Sequence, residues 1–181
     1  MVLIRPARPG ELGPLPALLS RAVEHMNASG NPQWGPDYPT PAHYLADAAR
    51  GELYLALTAE GAIAGAACLN TAEAPEYAPL PWTAPGPAMV VHRMVVDPCC
   101  QRQGVGSALF AYAEALARRR GLSSLRVDTY SLNAPMLSLL SGRGFRQVGT
   151  VHFDREGRPL GFLCFEKRLS PDGENGKISA L

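Results

Sequence analysis

The sequence lacks any strong excess of charge, any long apolar run and any paired-cysteine motif. Lysine and arginine number 17 against 16 aspartate and glutamate residues, a formal net charge of +1. That balance excludes a broad electrostatic footprint for nucleic acid or an anionic membrane, so an anionic ligand needs a local site. No stretch reaches the length of a membrane span. Met1-Val2-Leu3-Ile4-Arg5-Pro6 lacks the basic, apolar and small-residue order of a signal peptide. The four cysteines, Cys68, Cys99, Cys100 and Cys164, form no CxxC pair and no histidine cluster accompanies them. They show no metal-ligand spacing and read as reduced thiols of a cytoplasmic protein. The adjacent Cys99-Cys100 pair reads as two ordinary loop residues.

What is present fits one domain: 181 residues, 46% hydrophobic and 18% charged. Helical periodicity over Glu11–Met26 puts Leu15, Leu18, Leu19, Val23 and Met26 near one face, and Pro41–Arg50 can form a second, shorter helix. Between them, the prolines and glycine of Asn31–Pro39 forbid a continuous helix. Val2–Arg5, Glu52–Thr58, Ala62–Asn70, Ala88–Val96, Ser124–Thr129, Phe145–Phe153 and Leu160–Arg168 read as strands. Thr71–Pro87 reads as a long Pro-rich loop, Val105–Arg120 as the strongest helix and Pro135–Leu140 as a short one. The pattern predicts an α/β (α+β) domain over residues 1–169 built on one mixed sheet, and a disordered polar tail over 170–181.

The chemistry concentrates in Val95-Val96-Asp97-Pro98-Cys99-Cys100-Gln101-Arg102-Gln103-Gly104-Val105-Gly106-Ser107. A buried strand enters a glycine-containing turn that opens a long helix. The first amides of that helix lack internal acceptors and carry partial positive charge. Gly104 and Gly106 remove side chains that would block a close approach. The result is an anion site suited to a diphosphate. A Walker loop, GxxxxGK[ST], is absent. A Rossmann fingerprint would need a third glycine where Leu109 stands.

The remaining spacing, Gln-x-x-Gly-x-Gly at Gln101, Gly104 and Gly106, resembles the signature of the GNAT superfamily of N-acetyltransferases. The strand Met94-Val95-Val96-Asp97-Pro98 before the loop, Asn133 after the next strand and Gly144-Phe145 after a short helix follow in the order that family shows. The resemblance is specific over Ala88–Phe153. Gln33-Trp34 and Tyr38-Pro39 are similar to an uncharacterised bacterial subgroup. The resemblance implies a mostly antiparallel sheet flanked by helices, with two central strands splayed apart beside acetyl-CoA. It implies that Met94, Val95 and Val96 contact pantetheine and that amides from Arg102 through Gln103, Gly104, Val105 and Gly106 to Ser107 hold the diphosphate, with Asn133 touching the cofactor.

The implied reaction is acetyl transfer to the amine of a small molecule, amino acid or peptide by direct attack in a ternary complex. Alkyl amines are protonated near neutral pH, so a base is required. His92 is the candidate: it precedes Met94 by two residues, which in a regular strand puts both on one face. Asp128, at the end of its strand, is the second catalytic candidate, orienting a cation or the acceptor amine. Trp34 and Tyr38, aromatic residues on a Pro/Gly-rich loop, are candidate acceptor contacts. No metal, nucleic acid or membrane is expected; a homodimer is the common arrangement of the family. One departure stands out: Leu140 occupies the position where the family often has a tyrosine that protonates the leaving thiolate. That keeps open the alternative of a non-catalytic acyl-CoA sensor.

Overall fold

The computed structural model describes residues 2–8, 10–154 and 159–169. The expected tail at 170–181 lies outside them. Seven strands form one sheet: β1 (Leu3–Pro6), β2 (Leu53–Leu57), β3 (Ile63–Asn70), β4 (Met89–Val96), β5 (Ser124–Tyr130), β6 (Arg146–Val151) and β7 (Phe162–Arg168). Their order is β1-β2-β3-β4-β5-β7-β6, antiparallel except for the β4–β5 pair. Four helices cover it: α1 (Leu15–Ala28), α2 (Pro41–Ala49), α3 (Val105–Arg119) and α4 (Ala134–Gly142).

Each helix forms where its pattern and caps allow. α3 buries Val105, Leu109, Phe110, Ala113, Leu116 and Ala117, the face set by its 3.6-residue period. α1 starts at Leu15, later than Glu11, because Pro14 serves as its N-cap. α2 opens with Thr40 and Pro41; the Thr40 amide donates to His43 Nδ1 at 3.0 Å, a capping-box arrangement.

The helices divide between the two faces of the sheet. α3 and α4 pack on one face against Tyr54, Ala67, Met89, Val91, Leu125 and Val127. α1 and α2 cover the other face over β2–β4, around Leu53, Leu55, Ala66 and Val95. The rest of that second face, over β5–β7, is covered by the Thr71–Pro87 segment, which carries one 3₁₀ turn at Pro75–Tyr77. This long loop is strapped down. Thr83 donates to Glu166 through its amide at 2.8 Å and its hydroxyl at 2.6 Å. The Arg126 guanidinium lies 4.4 Å from the Trp82 ring centre and donates to Glu73 at 2.5 Å.

Two irregularities shape the centre. β4 and β5 pair only at Met89↔Leu125 and Val90↔Arg126, then separate, so the central strands are splayed. The β3–β4 register also slips: Ala66 faces Val95 and Cys68 faces His92, leaving Arg93 and Met94 opposite the single residue Ala67. This is a β-bulge, with Arg93 at a φ of 48°. It overturns the expectation that His92 and Met94 share a face. Met89 and Val91 before the bulge, and Met94 and Val96 after it, all pack toward α3, whereas Val90 and Val95 face the other way. Alternation therefore places His92 with Val90, on the face of α1, α2 and the long loop.

Candidate functional site

Two cavities meet at the splay. The first, about 470 Å³, lies between the start of α3 and α4. Met94, Val95, Val96, Gln101, Arg102, Gly104, Val105, Gly106, Ser107 and Asn133 line it, with Met136 and Leu139 of α4 as the facing wall. Gln103 is the expected residue that does not line it; its side-chain amide turns back to the Cys99 carbonyl at 2.9 Å. The turn into α3 has Arg102 at a φ of 58° and Gly104 at 82°. Left-handed residues alternating with an ordinary one, Gln103, aim neighbouring amides toward one side. The first bond of α3 is Ala108 N–H to Gly104 C=O at 2.9 Å. The amides of residues 102–107 have no acceptor among the described residues. A Cβ on Gly106 would stand 3.0 Å from Leu139 Cδ2, so glycine keeps the mouth open between α3 and α4. These features fit a diphosphate entering at the helix start.

The second cavity, about 370 Å³, opens on the other face. His92, Asp128, Trp34, Tyr38, Arg93 and Gln33 are among its lining residues. Met26, Trp34, Met94, Asn133 and Met136 line both cavities, so the two join at Met94. The bulge moves His92 away from the face of Met94 and into this second cavity.

The protonation of His92 follows from its neighbours. Its Nε2 lies 2.9 Å from the Ala72 carbonyl and 3.1 Å from Asn70 Oδ1. Asn70 Oδ1 accepts the Ala72 amide at 3.0 Å, and Asn70 Nδ2 donates to Glu52 at 3.0 Å, which fixes the amide orientation. Two acceptors at Nε2 require the proton there, leaving the Nδ1 lone pair without a partner among the described residues. Burial lowers the His92 pKa below 6.5, with a further push from the Arg93 charge. The ring is therefore a neutral proton acceptor at pH 7.

Arg93 is pinned by α2. Its Nε and Nη2 both donate to Asp47 at 2.8 Å, Nη1 reaches the Tyr38 hydroxyl at 3.2 Å, and its carbonyl accepts from Tyr44 Oη at 3.0 Å. Asp128 Oδ2 accepts the Tyr77 hydroxyl at 2.7 Å; burial, and then the carboxylate, raise the Tyr77 pKa, so that hydroxyl keeps its proton. Trp34 is buried in the α1–α2 cluster as well as lining both cavities, so it anchors its loop and borders the site at once. Asn133 Oδ1 caps α4 at the Met136 amide (3.2 Å) and its Nδ2 donates to Gln33 at 2.7 Å, so both ends of its amide are engaged within the protein. Leu140 is fully buried in the α3–α4 core. Asp47, Glu52 and Cys68 bring three ligand-type atoms within 4.8 Å of one another, but the two carboxylates already accept from Arg93, Arg50 and Asn70.

Residues 20–145 match the acetyltransferase (GNAT) family. The chain belongs to that family. Its members use acetyl-CoA as cofactor, and the open amides after Gln101 stand where such a cofactor's diphosphate fits. The fold is shared with a GNAT-family acetyltransferase of Streptococcus agalactiae (TM-score 0.80, 20% identity, 93% of this chain and 96% of that one). It is also shared with YncA of Salmonella typhimurium, solved with its cofactor acetyl-CoA (0.69, 18%, 100% and 99%). A third is the ribosomal-protein-S18-alanine N-acetyltransferase of Escherichia coli (0.62, 18%, 98% and 100%). A search of curated protein sequences returned no match. No helix among the described residues is long and apolar enough to cross a membrane.

The sequence did not disclose the roles of Gln33, Asn70 and Glu52, nor the α4 wall. Asn70 is only a polar residue at the end of an apolar strand, and its relation to His92 depends on pairing across 22 positions.

Proposed function

We propose that this protein acetylates a primary amine by direct attack on acetyl-CoA in a ternary complex. One observation carries the reading: a cavity with open helix-start amides and a cavity holding a neutral histidine join at the bulged residue Met94. Bound acetyl-CoA supplies an activated acetyl thioester. The amides of residues 102–107 would hold its diphosphate, and the edge of β4 beyond Val90, unpaired with β5, would offer backbone groups to pantetheine. The Met94 N–H, without a β3 partner in the register, would be the donor available to the thioester oxygen. His92 Nδ1 takes the proton of the incoming ammonium, directly or through a water. Asp128 and the aromatic Trp34 and Tyr38 orient the amine and its apolar body. With Leu140 buried, no tyrosine hydroxyl serves the sulfur from that position; a thiol of pKa near 8.5 leaves adequately as thiolate.

The test is release of free thiol from acetyl-CoA on adding a panel of primary amines, with the acetylated product identified by mass. Amine-dependent release is expected. Tight coenzyme A binding with no turnover of any amine would instead support a non-catalytic sensor, the reading that the loss of tyrosine at Leu140 favours.

A further inference from the structure

The acceptor cavity contains a pre-oriented hydrogen-bond donor that no described residue accepts. Gln33 is 8% exposed and lines that cavity. Its Oε1 accepts from Asn133 Nδ2 at 2.7 Å, from the Thr129 hydroxyl at 3.2 Å and from the Tyr130 amide at 3.3 Å. The Tyr130 amide can only donate, and Asn133 Oδ1 is already taken by the Met136 amide, so the orientation of the Gln33 carboxamide is fixed. Asn31 Oδ1 accepts the Gln33 backbone amide at 3.2 Å and braces the loop. The two Nε2 hydrogens remain, and no described residue accepts them. A donor fixed in direction on a cavity wall is ready to bond a ligand acceptor in place of water, with little ordering left to do.

Its surroundings define what that ligand group is. The lining donors Asn70, His92, Thr129 and Asn133 turn onto protein acceptors. The guanidinium charges of Arg50 and Arg93 are matched by Asp47 and Glu52. A carboxylate entering this cavity would find no uncompensated cation, whereas a neutral carbonyl oxygen needs only a donor. Gln33 is held at the end of β5 by Thr129, the residue that follows Asp128.

We infer that Gln33 is a specificity-determining residue that donates to a neutral carbonyl near the reacting amine. The acceptor is then an amino-acid amide or a peptide N-terminus rather than a plain alkylamine or a free amino acid. This rests on the acetyltransferase reading above and narrows it.

Three matched acceptors test it: phenylalaninamide, phenylalanine and phenethylamine, which carry a carboxamide, a carboxylate or hydrogen on the same carbon. For the unaltered enzyme, kcat/KM for the amide should exceed that for both others by on the order of tenfold, one hydrogen bond's worth at about 1.4 kcal/mol. Gln33→Glu keeps the three bonds accepted by Oε1 and replaces the donor with an oxygen. It should erase the preference of the amide over phenethylamine while coenzyme A affinity stays unchanged. Equal kcat/KM for the three, a preference for the carboxylate, or an equal loss on all three in Gln33→Glu overturns the inference and leaves the transferase standing. No turnover of any of them overturns both.

Discussion

Removing the His92 imidazole should disable proton transfer and spare cofactor binding. His92 lines the second cavity and not the one at the start of α3, so His92→Ala should leave the coenzyme A dissociation constant within about twofold, well under the 1.4 kcal/mol that a tenfold change represents. A positioned general base contributes on the order of 10² to 10⁴ in rate, or about 2.7–5.4 kcal/mol, and kcat should fall by that factor at pH 7. The pH dependence separates this from mere loss of packing. Burial holds the His92 pKa below 6.5, so the unaltered enzyme should show an acid limb in kcat below pH 6.5 and a plateau above it. In His92→Ala the rate must follow the supply of free amine. It should therefore climb about tenfold per pH unit toward the alkyl-amine pKa near 10.4. Stability moves in the same direction. A neutral buried histidine whose folded pKa lies below its unfolded value stabilises the fold above pH 6.5, and that contribution is lost as pH falls through the folded pKa. Steady-state thiol release from pH 5.5 to 9.5 and calorimetric titration with coenzyme A make the measurement. A fall in kcat smaller than tenfold with the acid limb retained would refute the assignment. So would a loss of coenzyme A affinity as large as the loss of kcat.

Two further substitutions probe the frame. Asp47→Ala leaves the partly buried Arg93 guanidinium without its bidentate carboxylate, and breaking such a pair costs about 3–5 kcal/mol. For a domain of this size the melting temperature should fall by roughly 6–20 °C, read by calorimetry; a shift under about 2 °C would mean the clamp is unimportant. Gly106→Val places methyl groups at the mouth between α3 and α4, where even a Cβ meets Leu139 at 3.0 Å. Coenzyme A should bind at least about tenfold more weakly with little change in melting temperature, and an unchanged dissociation constant would remove that turn from the cofactor site.

The parts of this molecule legible in its sequence are those set by local pattern. The period of Val105, Leu109, Ala113 and Leu116 and the stop at Gly121 specify α3 within a residue of its end. The spacing Gln101, Gly104, Gly106 marks the turn whose amides stay open, because both glycines act on their own backbone. Strand limits came within about two residues, since prolines and glycines bound most of them. The bulge was not legible. A bulge usually announces itself through glycine at the positive φ, but here the residue is Arg93, held by α2 side chains 46 and 49 positions away. One unseen extra residue reverses the facing of everything beyond it, which is why His92 was placed on the wrong side of the strand. The straps over Thr71–Pro87 were hidden for the same reason: Glu166 reaches Thr83 across 83 positions.

In the proposed mechanism the bulge lets α2, which does not line the cavity at the start of α3, govern the chemistry. A non-glycine residue at positive φ is strained, and it persists only where surrounding contacts over-determine it. Asp47 takes two donors of the Arg93 guanidinium while Tyr44 ties the Arg93 carbonyl, so side chain and backbone are both fixed from α2. With Arg93 so held, the β3 ladder skips Met94, whose amide is the donor proposed for the thioester oxygen. The same extra residue turns His92 to the opposite face, into the second cavity. A regular β4 would put His92 and Met94 on one face with their amides turned the same way, so the two could not serve opposite faces of the sheet. The proposed oxyanion donor and the proposed base are thus set together by a single inserted residue. A change that let Arg93 relax to an extended conformation should cost both functions at once, with coenzyme A still bound at the start of α3.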